Sequence, residues 1–119
     1  HVESLPPGLT VPLAGIGGVV RWIEALEGGA ETVLATAAGT PVAVRAGALT
    51  YLGAWLDDAA LDAFVARMAG AAGLSCTPLP GAVRRRETGV ERFYFNYSAE
   101  STEIDGEEMP STGVLRHPI

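Results

Sequence analysis

Pro41-Val-Ala-Val-Arg45, the break Ala46-Gly47, Ala48-Leu-Thr-Tyr-Leu-Gly-Ala54 and the run from Asp57 to Leu74 decide the reading of the fold. The first and third pieces alternate in the manner of extended strands. The two residues between them suit a tight connection, with Gly47 supplying positive φ. Asp57-Asp58 then opens a helix that runs to about Gly73. Leu61, Phe64, Val65, Met68, Ala71 and Ala72 recur at the spacing of one apolar helical stripe. Either Asp can accept from the free N–H groups of the first turn. Gly73 stands where a left-handed residue ends a helix, with Leu74 following it. The pattern predicts a hairpin handing over to a helix that lays Phe64 and Met68 on a sheet.

Upstream, Leu5-Pro6-Pro7-Gly8 favours an extended or turn segment. Leu9 to Leu13 reads as a short strand closed by the flexible Gly15-Ile-Gly17-Gly18. Val19 to Leu26 fits a helical face through Val19, Ile23 and Leu26, and it also fits a strand with Trp22 and Ile23 on opposite sides. Its brevity and the flanking glycines favour the strand. Glu31 to Ala37 has strand propensity around Thr32-Val33. Downstream, Ser75-Cys-Thr-Pro-Leu-Pro-Gly81 is rich in breakers and marks a boundary, giving domains at 1–76 and 77–119. Ala82 to Glu87, Val90 to Tyr97, Ser101 to Ile104 and Gly113 to Arg116 read as strands, with turns at Thr88-Gly89 and Asp105-Gly106. In Val90–Tyr97 the alternation places Phe93, Phe95 and Tyr97 on an aromatic face, opposite Arg92, Tyr94 and Asn96.

The 119 residues suffice for one domain, or for a small domain and part of another, burying roughly 65% of the extended surface. With 48% hydrophobic and 18% charged residues, wholesale disorder is excluded. The net charge of −6 argues against nucleic acid and against an anionic membrane surface as partners. All basic residues are Arg, which points to coding bias. Cys76 is alone, so no internal disulfide forms and nothing suggests an oxidising compartment. No apolar run is long enough to span a bilayer, and the start is unlike a signal peptide. The chain reads as a cytoplasmic fragment.

Chemistry is hard to place on these residues. Cys76 lies in a Pro-flanked linker without a neighbouring His. His1 and His117 sit at the extremes of the chain and fit no metal spacing. Arg84, Arg85 and Arg86 alternate sides on a strand and so form no single anion patch. Asn96-Tyr97-Ser98 matches the glycosylation sequon. Glu24, Glu27, Glu31, Glu87, Glu91, Glu100, Glu103, Glu107 and Glu108 are all available, yet a retaining glycosidase needs two carboxylates about 5–5.5 Å apart and the spacing selects no pair. No catalytic, cofactor-binding or metal-binding residue is assigned, and no cofactor is expected.

Trp22-Ile-Glu-Ala-Leu-Glu-Gly-Gly-Ala-Glu-Thr-Val-Leu-Ala35, Gly39-Thr-Pro-Val-Ala-Val-Arg45, Leu49-Thr-Tyr-Leu-Gly53 and the helix to Gly73-Leu74 occur in an order that resembles the end of the trimerisation domain of glycoside hydrolase family 42 β-galactosidases. Leu79-Pro-Gly81, Val83-Arg84-Arg85, Phe93-Tyr-Phe-Asn96, Gly106-Glu-Glu-Met-Pro110 and Gly113-Val-Leu115 resemble the small β-domain that ends those chains. The resemblance covers roughly Val2 to Arg116. It departs at the hairpin turn, shortened to Ala46-Gly47, and at Gly39-Thr40, where Gly-Arg is common.

That resemblance implies an α/β (α+β) fold: the C-terminal part of a glutamine-amidotransferase-like α/β trimerisation domain, followed by a small antiparallel β-domain. It implies a non-catalytic region of a bacterial enzyme that hydrolyses terminal β-D-galactosides. The partners implied are a TIM-barrel region of the same parent chain and further copies in a homo-oligomer. Both catalytic Glu residues of such enzymes lie on the barrel, so neither falls on a position of this sequence. A parallel sheet needs helices on both faces, and one helix leaves a face open. Trp22, Ile23 and Trp55, large among small residues, are the expected contacts. A reading of another class is a free-standing carbohydrate-binding or regulatory module that uses its Trp and Tyr residues.

Overall fold

The computed structural model describes all 119 residues, His1 to Ile119. It divides into two compact units, His1–Cys76 and Thr77–Ile119.

The first unit contains β1 (Val2–Ser4), β2 (Val11–Pro12), β3 (Gly18–Glu24), β4 (Glu31–Ala35), β5 (Pro41–Ala46), β6 (Leu49–Leu52), β7 (Ala54–Leu56) and α1 (Asp58–Ala71). Strand β3 pairs with β1 at Trp22–Glu24, with β2 at Gly18–Val19 and with β7 at Val19 and Ile23. A second sheet runs β4-β5-β6. Its β5–β6 hairpin closes at Ala46↔Leu49, so the turn is Gly47-Ala48, one residue later than the sequence pattern suggests. Gly47 takes φ +59°, a conformation that costs a residue with a Cβ more than glycine. Every pairing is antiparallel. The expected parallel sheet is therefore absent. Connections as short as the β5–β6 turn can join only antiparallel neighbours, whereas a parallel pair needs a long crossover. The core is Leu13, Val19, Val42, Ala54, Leu56 and Ala60, with Ile23, Leu34, Leu52 and Phe64 packed around it.

Asp57 caps α1 and ties it to β3. Its Oδ1 accepts from the Ala60 N–H at 2.9 Å, and its Oδ2 accepts from the Gly18 N–H at 2.8 Å. The fit at this point explains Gly17-Gly18, which the sequence presents only as a flexible stretch. A Cβ on Gly17, at φ +74°, would lie 2.4 Å from Asp57 Oδ1; one on Gly18 would lie 2.3 Å from Thr10 Cγ2. At the far end the Leu74 N–H donates to the Ala69 carbonyl and the Gly73 N–H to the Gly70 carbonyl. Gly73 has φ +74°, completing a Schellman motif.

The stripe of α1 is not buried as expected. Only Ala60 is fully covered; Phe64 and Met68 are half-buried, and Leu61 and Val65 are 42% and 53% exposed. The helix is fully seated only at its first turn, where the small Ala60 and the Asp57 clamp bring it onto the sheet. Farther along, Arg67 reaches across to donate to the Val33 carbonyl.

The second unit contains β8 (Val83–Glu87), β9 (Glu91–Asn96), β10 (Thr102–Ile104), β11 (Glu107–Met109) and β12 (Val114–Pro118). Its sheet runs β12-β9-β8, antiparallel throughout, and β10–β11 form a hairpin. Asp105 and Gly106, at φ +52° and +80°, make the hairpin turn. The core is Val83, Tyr94, Ile104 and Met109.

On β9 the buried face is the reverse of the aromatic one. Tyr94 and Asn96 are buried, Phe93 and Phe95 are half-buried, and Tyr97 is exposed. The reason is Asn96, whose Nδ2 donates to the Glu100 and Pro110 carbonyls at 2.8 and 3.1 Å while its Oδ1 accepts from the Ser98 N–H at 3.0 Å. A buried amide so fully bonded is stabilising where a bare one would be costly.

Candidate functional site

Several of the candidate carboxylates are engaged with neighbours. Glu31 pairs with Arg45 at 3.5 Å. Glu87 takes Arg92 at 2.6 Å and Arg85 at 3.5 Å. Glu91 holds Arg116, and Glu107 meets His117 at 3.0 Å. The Arg92 guanidinium holds the Glu87 carboxyl below its ordinary range, mainly through the hydrogen bond. A glycosidase acid needs the opposite shift, upward. No group of three or more His, Cys, Asp or Glu side chains is placed to hold a metal ion. Cys76 is exposed at the junction of the two units. The sequon at Asn96 has its amide nitrogen committed to two carbonyls inside the second unit.

The three residues singled out as contacts separate by strand geometry. Ile23 lies opposite Ala54 and packs on the core. Trp55 lies between the buried Ala54 and Leu56, so alternation turns it outward, and it is 48% exposed. Trp22 lies opposite Ser4, and Glu24 opposite Val2, on the face away from Ile23. Between Val19 and Ile23 the pairing with β7 shifts register, and Arg21 adopts φ +65°. This irregularity brings the Arg21 guanidinium 5.0 Å from the centre of the Trp55 ring. A bulge of this kind leaves no mark in hydrophobic periodicity, so Arg21 was not legible as part of the face.

Two further features complete this face. The Tyr51 hydroxyl donates to Glu24 Oε2 at 2.6 Å, although the residues are 27 apart in sequence. That bond, and then the carboxylate's charge, push the Tyr51 hydroxyl above its ordinary pKa of 10.0. Val2, Ser4, Trp22 and Glu24 line an open hollow of about 270 Å³. Elsewhere in the unit, Arg45, Thr50, Phe64, Met68, Ala71 and Ala72 line a groove of about 470 Å³ between the β5–β6 hairpin and α1.

In the second unit the outer face of the sheet joins apolar and basic side chains. Phe95 stands opposite Arg84 and Val114, and Phe93 opposite Arg86 and Arg116. The Phe93 and Phe95 rings lie 6.4 Å apart, and the Arg116 guanidinium lies 6.0 Å from the Phe93 ring centre. Alternation separates Arg85 from Arg84 and Arg86, as the sequence pattern indicates, but Arg84 and Arg86 share this face with Arg116.

No family model matches the chain, and no curated protein matches it. Solved structures do. A β-galactosidase from the psychrophilic Marinomonas ef1 superposes with a TM-score of 0.81 at 28% identity, over 98% of this chain and 20% of that one. A polyextremophilic β-galactosidase from the Antarctic haloarchaeon Halorubrum lacusprofundi superposes with a TM-score of 0.80 at 23% identity, over 99% of this chain and 22% of that one. The chain thus spans about a fifth of the length of either match. It is a mostly β, multi-sheet structure similar to a part of these β-galactosidases. No helix is long and apolar enough to cross a membrane.

Proposed function

We propose that the chain is a non-catalytic accessory region of a β-galactosidase-like glycoside hydrolase of family 42 type, cytoplasmic and homo-oligomeric. Its first unit corresponds on this reading to the end of a trimerisation domain and its second to a closing β-domain. The observation that carries the proposal is the superposition of nearly the whole chain on a fifth of a β-galactosidase at a TM-score of 0.81. The engagement of Glu31, Glu87 and Glu91 in ion pairs with arginines removes those three from the candidates for a sugar-cleaving pair. Catalysis belongs on this reading to a TIM barrel elsewhere in the same parent chain.

Contacts with the barrel or with other copies run through surfaces left open. Trp55 in the first unit, Leu61 and Val65 on α1, and Phe93 and Phe95 among arginines in the second unit have the aromatic, aliphatic and guanidinium character of protein interfaces. Ile23 serves the core beneath the face that carries Trp22.

The test is expression of the gene with its upstream coding region. The longer product is expected to hydrolyse a chromogenic β-galactoside as an oligomer, and the 119-residue chain alone is expected to be inactive. Turnover by the chain alone, lost on substitution of one of its Glu residues, overturns the proposal, as does an upstream region that encodes no barrel.

A further inference from the structure

We propose that the second unit joins further copies of itself head to tail: the outer face of the β12-β9-β8 sheet in one copy receives the outer face of the β10–β11 hairpin from another. The inference names the surface behind the homo-oligomeric part of the reading above and rests on that part alone. It needs no barrel.

Strand register sets the receiving surface. Tyr94 and Asn96 turn into the core, so alternation turns Phe93 and Phe95 outward on the middle strand. Beside them stand Arg84 and Arg86 on β8, and Val114 and Arg116 on β12. Glu91 answers Arg116. Arg84 and Arg86 are exposed and reach no carboxylate. Their guanidinium groups donate only to nearby backbone carbonyls, those of Gly81 and Val83 for Arg84 and that of Arg85 for Arg86. Two aromatic rings thus lie beside two unanswered positive charges, in a chain whose net charge is −6.

The complement lies on the other side of the same unit. Ile104 and Met109 carry the hairpin into the core with Val83 and Tyr94. Alternation puts Glu103 and Glu108 on the side away from that core, and the register sets them directly opposite each other. Both are exposed, and neither has a cationic partner. Like charges facing each other across a hairpin destabilise it, and a guanidinium brought between them relieves the repulsion. The two carboxylate-bearing positions are about 5 Å apart, and Arg84 and Arg86 about 7 Å apart along their strand, a difference that long flexible side chains can absorb.

Geometry decides the mode of assembly. The two surfaces lie on opposite sides of one core, so a pair of copies makes one such contact and leaves one surface of each kind open. Assembly of this type closes into a ring or extends. Packing sheet face on sheet face would set arginines against arginines, and hairpin on hairpin would set glutamates against glutamates. A single-stranded nucleic acid could stack on the Phe rings, but the acidity of the whole chain opposes it. Three strands of five or six residues cover only about 15 by 17 Å, well below a standard interface, so the contact is weak and salt-sensitive.

The experiment is sedimentation equilibrium of the full 119-residue chain at low salt, comparing wild type with two charge-reversed variants. One carries Arg84→Glu with Arg86→Glu, the other Glu103→Arg with Glu108→Arg. All of these side chains are exposed, and circular dichroism checks that both variants fold. Wild type is expected to associate beyond the dimer with a Kd of about 10–100 μM, more weakly as salt is added. Each variant alone is expected to associate at least about tenfold more weakly, because like charges now meet. An equal mixture of the two is expected to recover the wild-type behaviour, since each offers the other an opposite charge. Undiminished association of either variant, or a mixture that fails to recover, overturns the proposal and leaves oligomerisation to other surfaces. A monomeric wild type overturns it as well, while activity of the longer product still judges the accessory reading separately. Binding of a short fluorescent oligothymidine to wild type, lost with Arg84→Glu and Arg86→Glu, would assign the face to nucleic acid instead.

Discussion

Asp57 bonds two backbone N–H groups at once, one in its own helix and one in β3, and the close approach around it admits only glycine at position 17. Asp57→Ala is expected to lower stability by about 2–3 kcal/mol, more than an ordinary cap, because Gly18 loses its acceptor as well. Denaturant unfolding checks this, and a loss no larger than that of a cap alone would mean that solvent replaces the second bond. Asn96 is comparable in the second unit. Asn96→Ala leaves two carbonyls and one N–H without their partner and is expected to cost about 2–4 kcal/mol in the same measurement. Tyr51 offers a spectroscopic readout. Its raised pKa favours the neutral hydroxyl, so this stabilisation is complete below pH 10 and is lost as pH rises through the folded value. Glu24→Gln is expected to bring the phenol's ultraviolet titration back toward its ordinary range. Of these residues only the Asp57 cap was legible from sequence, because a cap is a local signal. The Gly18, Glu24 and Tyr51 partnerships span 27 to 39 residues and leave no local trace.

The helix and the hairpin were legible as elements, because spacing, capping and turn chemistry act over a few neighbouring residues. How the elements seat was not. Apolar spacing on α1 shows which side is greasy and says nothing of how far the sheet beneath it extends. Phe64 is half-buried, so Phe64→Ala is expected to cost about 1–2 kcal/mol, below the 3–5 kcal/mol typical of a fully buried phenylalanine. Leu61→Ser, on the open side, is expected to change stability by less than about 0.5 kcal/mol. On β9 the alternation was clear, but which side the core takes was not legible: Asn96 goes inward with Tyr94 because its amide is fully bonded there. Between β8 and β9, Glu87 and Arg92 form an exposed pair with a depressed carboxyl pKa. Its small contribution is present above the ordinary Glu value and fades as pH falls through the lowered one. Arg92→Gln is expected to flatten that part of the acid unfolding profile, and added salt to do the same.

At the scale of the whole molecule, large apolar side chains stay exposed on both units. Leu49, Trp55, Leu61, Val65 and Val114 are all exposed, several of them on regular elements rather than loop tips. The 119-residue chain is therefore expected to self-associate at micromolar concentration in sedimentation equilibrium, or else to bind a hydrophobic dye; a dye-silent monomer would show these faces to be content in water. Order of motifs, more than any one of them, made the resemblance to β-galactosidases readable. The antiparallel pairing around β3 was less readable than that of the β5–β6 hairpin, whose short turn allows no other direction. One feature gives the experimenter an advantage. The molecule's single thiol, Cys76, is exposed where one unit gives way to the next. A maleimide fluorophore or nitroxide attached there needs no cysteine removed elsewhere, and its tumbling would report directly how independently the two halves move.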